Sequence, residues 1–357
     1  MLLSGGTALA SPLATASSPS QATVATDSNV VIPVLSAVVA GKRVFYMRMR
    51  IGGGPETNVI LDTGSIGLRA LASVVPQRDP AGAPIIYGYE SGNELHGHVS
   101  TESVSVAGRV LGTVPVQVVD TLSCSPRMPH CPASALQDNP LAHGVDGISS
   151  ADFGAIMGIL LIKPQTLPVP NPLIAAGFHR WLVQLPQRDG WRGVLVLNPP
   201  MAQLDGFTRL NVDQNGAVAA CLDSGGGEPA LCLPTVLDSG EPHVFIYQSK
   251  AAEQDFVPAG SPVTLTFSDT AATGQELAFG FTAASTAAAG ASGQLRRDPA
   301  VVSFEQLGFL YTTQPFINAG YLPFWFYSVL FDADAQEIGL RQTPLPLNTD
   351  DMIKAYQ

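Results

Sequence analysis

Asp62-Thr63-Gly64-Ser65 follows the apolar run Val59-Ile60-Leu61, and Val236-Leu237 leads into Asp238-Ser239-Gly240, so one short signature occurs twice in the chain. An aspartate followed by Thr or Ser and then Gly, directly after a buried strand, holds a carboxylate on a tight turn whose hydroxyl neighbour can bond the loop. Two such turns can face each other. Two carboxyls within hydrogen-bonding reach cannot both ionise; they share one proton and place an acid and a base in the same pocket. The chemistry open to that pair is general acid/base attack of water on a peptide bond. A third Asp-Ser-Gly, at Asp223-Ser224-Gly225, runs straight into Gly226 and Gly227 and reads as a hairpin tip. Asp238 precedes the strand-like Val244-Phe245-Ile246-Tyr247 and takes the active position.

Other chemistries have weaker support. Gly52-Gly53-Gly54-Pro55 joins a strand over 44–51 to another over 58–61 and reads as a hairpin. No helix start and no Lys-Ser/Thr ending follows, as a phosphate cradle would need. His96 and His98 share a strand face by alternation, but no third ligand is evident, and no metal or cofactor is expected. His243 is assigned a structural or rim role beside Asp238. Serine hydrolysis lacks a Gly-x-Ser-x-Gly elbow. The cysteines fall as two close pairs, Cys124 with Cys131 and Cys221 with Cys232, and local pairing is the least costly in loop-closure terms. Two small disulfide loops are expected; a four-thiolate metal site is the alternative, disfavoured because neither pair is spaced as Cys-x-x-Cys.

The elements that must position the aspartates are short strands. Apolar residues make up 46% of 357 and charged ones 13%, with 35 Gly and 29 Pro, which predicts an all-β chain with many turns. The length suits two lobes. Residues 37–199 are expected to form an N-terminal β-lobe with the first aspartate, 200–345 a C-terminal β-lobe with the second, and 346–357 a tail, the boundary lying at Asn198-Pro199-Pro200. A second hairpin runs from Ile85 through Tyr89 and Gly92 to Val106 and could project over a cleft. The apolar run from Phe153 to Leu160 reads as core. The Ala/Gly/Ser/Thr-rich stretch 271–293 reads as a surface insertion. Residues 1–36, with Asp27 their one charge, read as a leader plus flexible linker. Ala8-Leu9-Ala10 and Ala14-Thr15-Ala16 offer signal cleavage sites, although a basic start is missing. A net charge of −11 argues against nucleic acid or an anionic membrane surface as partner. No later run of about 18 or more apolar residues predicts a membrane span. Export, either secreted or periplasmic, agrees with paired cysteines.

With these residues in place the chain resembles the pepsin-like aspartic proteases over roughly residues 43–345. Ile51-Gly52-Gly53-Gly54-Pro55 and Asp62-Thr63-Gly64-Ser65 are similar to the family's first hairpin and first aspartate turn. Tyr89 with Gly92 and Gly97 resembles its flap, with Tyr87-Gly88 as the competing assignment. Ala155-Ile156-Met157-Gly158 and Asn318-Ala319-Gly320 resemble the segments that back the two aspartate loops. The run from Asp62 to Arg69 also resembles a bacterial branch of the family. The resemblance implies two pseudo-twofold-related β-lobes around a central cleft. Asp62 and Asp238 would activate a shared water, with no metal or other cofactor and no covalent intermediate. Ser65 would bond the outer oxygen of Asp62, Thr63 and Ser239 would brace the loops, Gly64 and Gly240 would complete the turns, and the flap would close over an extended peptide or protein substrate. One chain supplies both aspartates, so a monomer is expected. Two positions depart from the family pattern: Glu241 stands where a Ser or Thr is usual, and Arg69 stands where a tryptophan commonly supports the flap tyrosine. The resulting expectation is an aspartic endopeptidase working at acidic pH, the alternative an inactive pepsin-like protein that binds peptide or glycan partners in its cleft.

Overall fold

The structure, a computed structural model, describes residues 29–39, 42–136, 140–146, 151–187, 192–225, 227, 229–248, 255–268, 276–284, 300–306 and 314–343. The leader over 1–28, most of the 271–293 stretch and the tail over 346–357 lie outside the described residues. The chain is nearly all β and forms two sheets. Its first strands are β1 (Val30–Val39), β2 (Lys42–Ile51), β3 (Thr57–Asp62), β4 (Ile66–Leu71), β5 (Pro84–Gly88), β6 (Asn93–Val106) and β7 (Arg109–Cys124). There follow β8 (Phe153–Ile159), β9 (Arg180–Gln184), β10 (Gly193–Leu197), β11 (Thr208–Asn211), β12 (Val218–Asp223), β13 (Leu231–Val236) and β14 (Val244–Gln248). The last are β15 (Asp255–Phe256), β16 (Pro262–Ser268), β17 (Glu276–Thr282), β18 (Val302–Gln306), β19 (Phe316–Asn318), β20 (Tyr327–Asp332) and β21 (Glu337–Gln342).

One sheet has 13 strands in the order β11-β21-β20-β9-β10-β1-β2-β3-β8-β4-β7-β6-β5, and the other has eight in the order β15-β18-β14-β19-β13-β12-β16-β17. β1 begins inside the stretch 1–36 expected to be linker and runs on to Val39. Val30, Ile32 and Val34 are buried, and the strand pairs with β10 and β2, so the linker expectation fails from residue 30 onward: an alternating apolar run with two partners is a strand. β17 likewise corrects part of the insertion reading, since Glu276–Thr282 pairs in full with β16. Leu277, Phe279 and Phe281 alternate along it, but the Ala-, Gly-, Ser- and Thr-rich composition of the surrounding stretch outweighed that pattern.

Both aspartate turns are made the same way. β3 runs parallel to β8, the turn at residues 62–65 arches over the end of β8, and β4 returns antiparallel on its other side. In the second sheet β13 runs parallel to β19, the turn at 238–240 arches over it, and β14 returns antiparallel. The central strand of the first copy, β8, is buried at every position, as a strand enclosed on both faces requires. One hydrophobic cluster draws side chains from both sheets, and within it Trp181 of β9 stacks on Phe331 of β20 at 5.6 Å between ring centroids.

Both expected disulfides are present, Cys124–Cys131 and Cys221–Cys232. The second joins register partners on β12 and β13, beside a hairpin tip where Asp223 accepts the Gly225 N–H at 2.8 Å. These bonds fit a protein of an oxidising compartment. Among the described residues no helix is long and apolar enough to cross a membrane.

Candidate active site

The two turns meet and interlock. Thr63 Oγ1 donates to the Leu237 carbonyl at 2.7 Å and accepts the Ser239 N–H at 2.8 Å. Reciprocally, Ser239 Oγ donates to the Leu61 carbonyl at 2.7 Å and accepts the Thr63 N–H at 3.0 Å. Both hydroxyls are buried, so each bond satisfies groups that have no water to turn to. The glycines let the carboxylates approach. A Cβ on Gly64 would fall inside the Asp238 carboxyl group, and one on Gly240 would stand 3.1 Å from both Asp62 Oδ1 and Asp238 Oδ1. The inner oxygens of the two aspartates therefore flank a single point.

Asp62 receives three donors. Its Oδ1 accepts the N–H groups of Gly64 at 2.9 Å and Ser65 at 3.1 Å, and its Oδ2 accepts Ser65 Oγ at 2.6 Å. Asp238 Oδ1 accepts the Gly240 N–H at 2.7 Å, but its outer oxygen is served differently. The residue three after Asp238 is Glu241, which has no donor to offer as a carboxylate, and the bond to Oδ2 comes instead from Asn318 Nδ2 at 2.7 Å. The Gly320 N–H donates to Asn318 Oδ1 at 2.9 Å, which fixes the amide with its NH2 toward Asp238. An amide NH2 can only donate. A proton on Asp238 therefore belongs on Oδ1, the oxygen that faces Asp62. Burial foremost, then the Asp62 charge and, to a smaller extent, Glu241, push the Asp238 pKa up to about 8; Asn318 and the Gly240 N–H work against this. The pair holds its acid on the second-sheet side.

The β5–β6 hairpin covers the aspartates, and both candidate tyrosines line the cleft. The Tyr87 ring lies 3.2 Å from the guanidinium carbon of Arg69, whereas Tyr89 is 6.0 Å from it. Burial raises the Tyr87 pKa; the Arg69 charge and hydrogen bonding at Ile66 and Ser65 oppose the rise. Tyr87 thus reaches the Asp62 turn itself. Tyr89 packs deeper, with its buried hydroxyl unpartnered among the described residues and its pKa driven well up by burial. Gly92 closes the hairpin turn, its N–H donating to the Tyr89 carbonyl at 2.8 Å. Arg69 is 2% exposed and donates to the carbonyls of Gly67 and Ile66 at 3.0 and 2.5 Å. It braces the loop after Asp62 from below and the Tyr87 ring from the side.

His96 and His98 make local contacts, to Ser123 at 2.8 Å and Asp120 at 2.9 Å, on either side of a register shift in β6. Among the described residues no cluster of three His, Cys, Asp or Glu side chains could hold a metal ion. Asn318 and the Arg69–Tyr87 stack were not foreseen from sequence as parts of the site. For Asn318 a signal existed: aligning the two turns sets Asn318-Ala319-Gly320 against Ile156-Met157-Gly158, and the amide stands where the first copy has isoleucine. Compared with known proteins, the chain matches no family model and no curated protein.

The contact between Gly64 and Asp238 gives a direct check. Gly64→Ala is expected to force the turns apart, at a cost of about 2 kcal/mol in stability as for other overpacked sites. Thermal unfolding is the measurement, and a lowered melting temperature with the cooperative transition retained is the expected result.

Proposed function

We infer that this protein is a pepsin-like aspartic endopeptidase, exported from the cell, with its two sheets forming the walls of the substrate cleft. The observation that carries this reading is the interlocked pair of aspartate turns, with inner oxygens facing one point and Asp238 raised to about 8. Asp62, holding three donors, is the base; Asp238, protonated on Oδ1, is the acid. A water between them loses a proton to Asp62 as its oxygen attacks the peptide carbonyl carbon, and Asp238 delivers its proton to the carbonyl oxygen. Collapse of the diol breaks the C–N bond, the proton taken by Asp62 passes to the leaving amine, and Asp238 recovers one from the diol. The flap hairpin, with Tyr87 at the Asp62 turn, excludes bulk water from this exchange.

One observation favours a second reading, a cleft that binds peptide without cutting it. Glu241 lines the cleft and adds its charge to Asp238 where a neutral hydroxyl would leave the dyad undisturbed. The deciding experiment is digestion of an unfolded protein substrate over about pH 3 to 9 by the full-length protein and by Asp62→Asn, each confirmed as folded. Cleavage lost in Asp62→Asn supports the endopeptidase. An intact substrate at every pH would leave only the binding module.

A further inference from the structure

Part of the cleft wall contributed by the second sheet is an aromatic strip on β14 and β19. In β14, Val244 and Ile246 enter the core, and alternation turns Phe245 and Tyr247 to the other side, where both line the cleft. Phe316, the register partner of Tyr247 on β19, stacks on its ring at 4.6 Å and 9°. Phe245 continues the strip at 6.0 Å from Tyr247.

Three carboxylates border these rings, from segments far apart in the chain. Glu90 comes from the flap turn, Glu241 from the loop after Asp238, and Glu305 from β18, where it is the register partner of Tyr247. Burial and then the charges of Glu241, Glu90 and Glu305 hold the Tyr247 phenol well above its ordinary pKa, so all three act on this one ring. The cations that line the cleft among the described residues, Lys42 and Arg43, belong to β2 in the other sheet. The carboxylates also fail to converge: no three of the described acidic, histidine or cysteine side chains are arranged to hold a metal ion. Separated carboxylates around flat aromatic faces suit an extended organic cation. Its apolar stem or guanidinium plane lies on the rings while its N–H groups reach the acids.

We propose that this wall is a subsite for a basic side chain of the bound peptide, arginine above lysine, which makes arginine-containing peptides the substrate class. The proposal rests on the reading of the cleft as peptide-binding and adds the feature by which peptides are chosen. Glu241, the departure that seemed to weaken the site, becomes a selectivity element.

The test uses peptide pairs that are identical except for arginine or its neutral isostere citrulline, placed at successive positions. Their affinity for full-length Asp62→Asn is read by fluorescence anisotropy near neutral pH, and their cleavage by the unaltered protein is followed in parallel. At one position the arginine peptide is expected to bind about tenfold more tightly, with the advantage shrinking in high salt. Glu241→Gln and Glu305→Gln, each verified by melting temperature, are expected to cut that ratio to about threefold or less. Equal affinities at every position, failure of both peptides to bind, or a ratio untouched by both substitutions would overturn the proposal. Arginine preference without any cleavage would sustain the subsite and sink the endopeptidase. Cleavage indifferent to arginine would do the reverse.

Discussion

Peptide cleavage by this protein is expected to persist through the neutral range and to fall off only near pH 8, where Asp238 gives up its proton. The sequence alone points to an acidic optimum, as two carboxylates with ordinary pKa values would be singly protonated only in acid. Burial of Asp238 and the neighbouring Asp62 charge extend the one-proton state upward. The sign follows from the role assigned: Asp238 must be protonated to donate, so activity is present below its raised pKa and is lost as pH rises through it. Asp238→Asn removes the donor altogether, since an amide cannot pass a proton to the carbonyl oxygen, and should lower kcat/KM by about 10³-fold or more at every pH. The measurement is kcat/KM against pH, which reports the free enzyme. An alkaline limb near pH 5 would show that the proton does not reside on Asp238 as the geometry requires.

The same substitution is expected to act on stability in opposite directions at the two ends of the pH scale. The folded-state pKa of Asp238 is raised, so the folded protein holds this proton more tightly than the unfolded chain does. The resulting stability is fully present below about pH 4, where even the unfolded aspartate is protonated, and is lost progressively as pH climbs to about 8. Above that, folding must bury a second negative charge beside Asp62, a penalty on the order of 5 kcal/mol. Asparagine carries no charge and avoids it. Asparagine also has one acceptor where the carboxyl has two, so either the Gly240 N–H or the Asn318 NH2 loses its partner, at about 1 kcal/mol. Asp238→Asn should therefore melt several degrees above the unaltered protein near pH 8 and slightly below it near pH 4. Parallel melting curves at the two pH values decide the matter: a shift of the same sign at both would mean that Asp238 is not strained by ionisation.

The positions of the strands were legible in the sequence where apolar alternation ends in a turn residue. That is why β3, β13 and the two aspartate turns could be placed, and why Asp223 could be told from Asp238. The resemblance implied that Thr63 and Ser239 brace the two turns; the carbonyls they bond, of Leu237 and Leu61, are seen only in the structure. Three things were missed. β1 was masked by the small, uncharged residues that precede it, which read as linker until its pairing with β10 is known. The donor to the outer oxygen of Asp238 comes from Asn318, 80 residues away, and only the parallel pairing of β13 with β19 brings it there. The stacking of Arg69 on Tyr87 depends on a hairpin folding back over β4, and residue spacing does not encode that contact.

The pairing of β20 with β9 sets an order of events for the newborn chain. Phe331 and Trp181 are register partners 150 positions apart, and β21, ending at Gln342, pairs with both β20 and β11. The larger sheet is therefore closed by nearly the last described residues of the chain. During synthesis β9 waits with one edge open while the whole of the smaller sheet is made, a state that invites pairing with other chains. Such long-range closure is slow to form. A truncation that removes β20 and β21 thus strips the first sheet of its final strands, although the break falls some 260 residues beyond Asp62, in the part of the chain that carries Asp238.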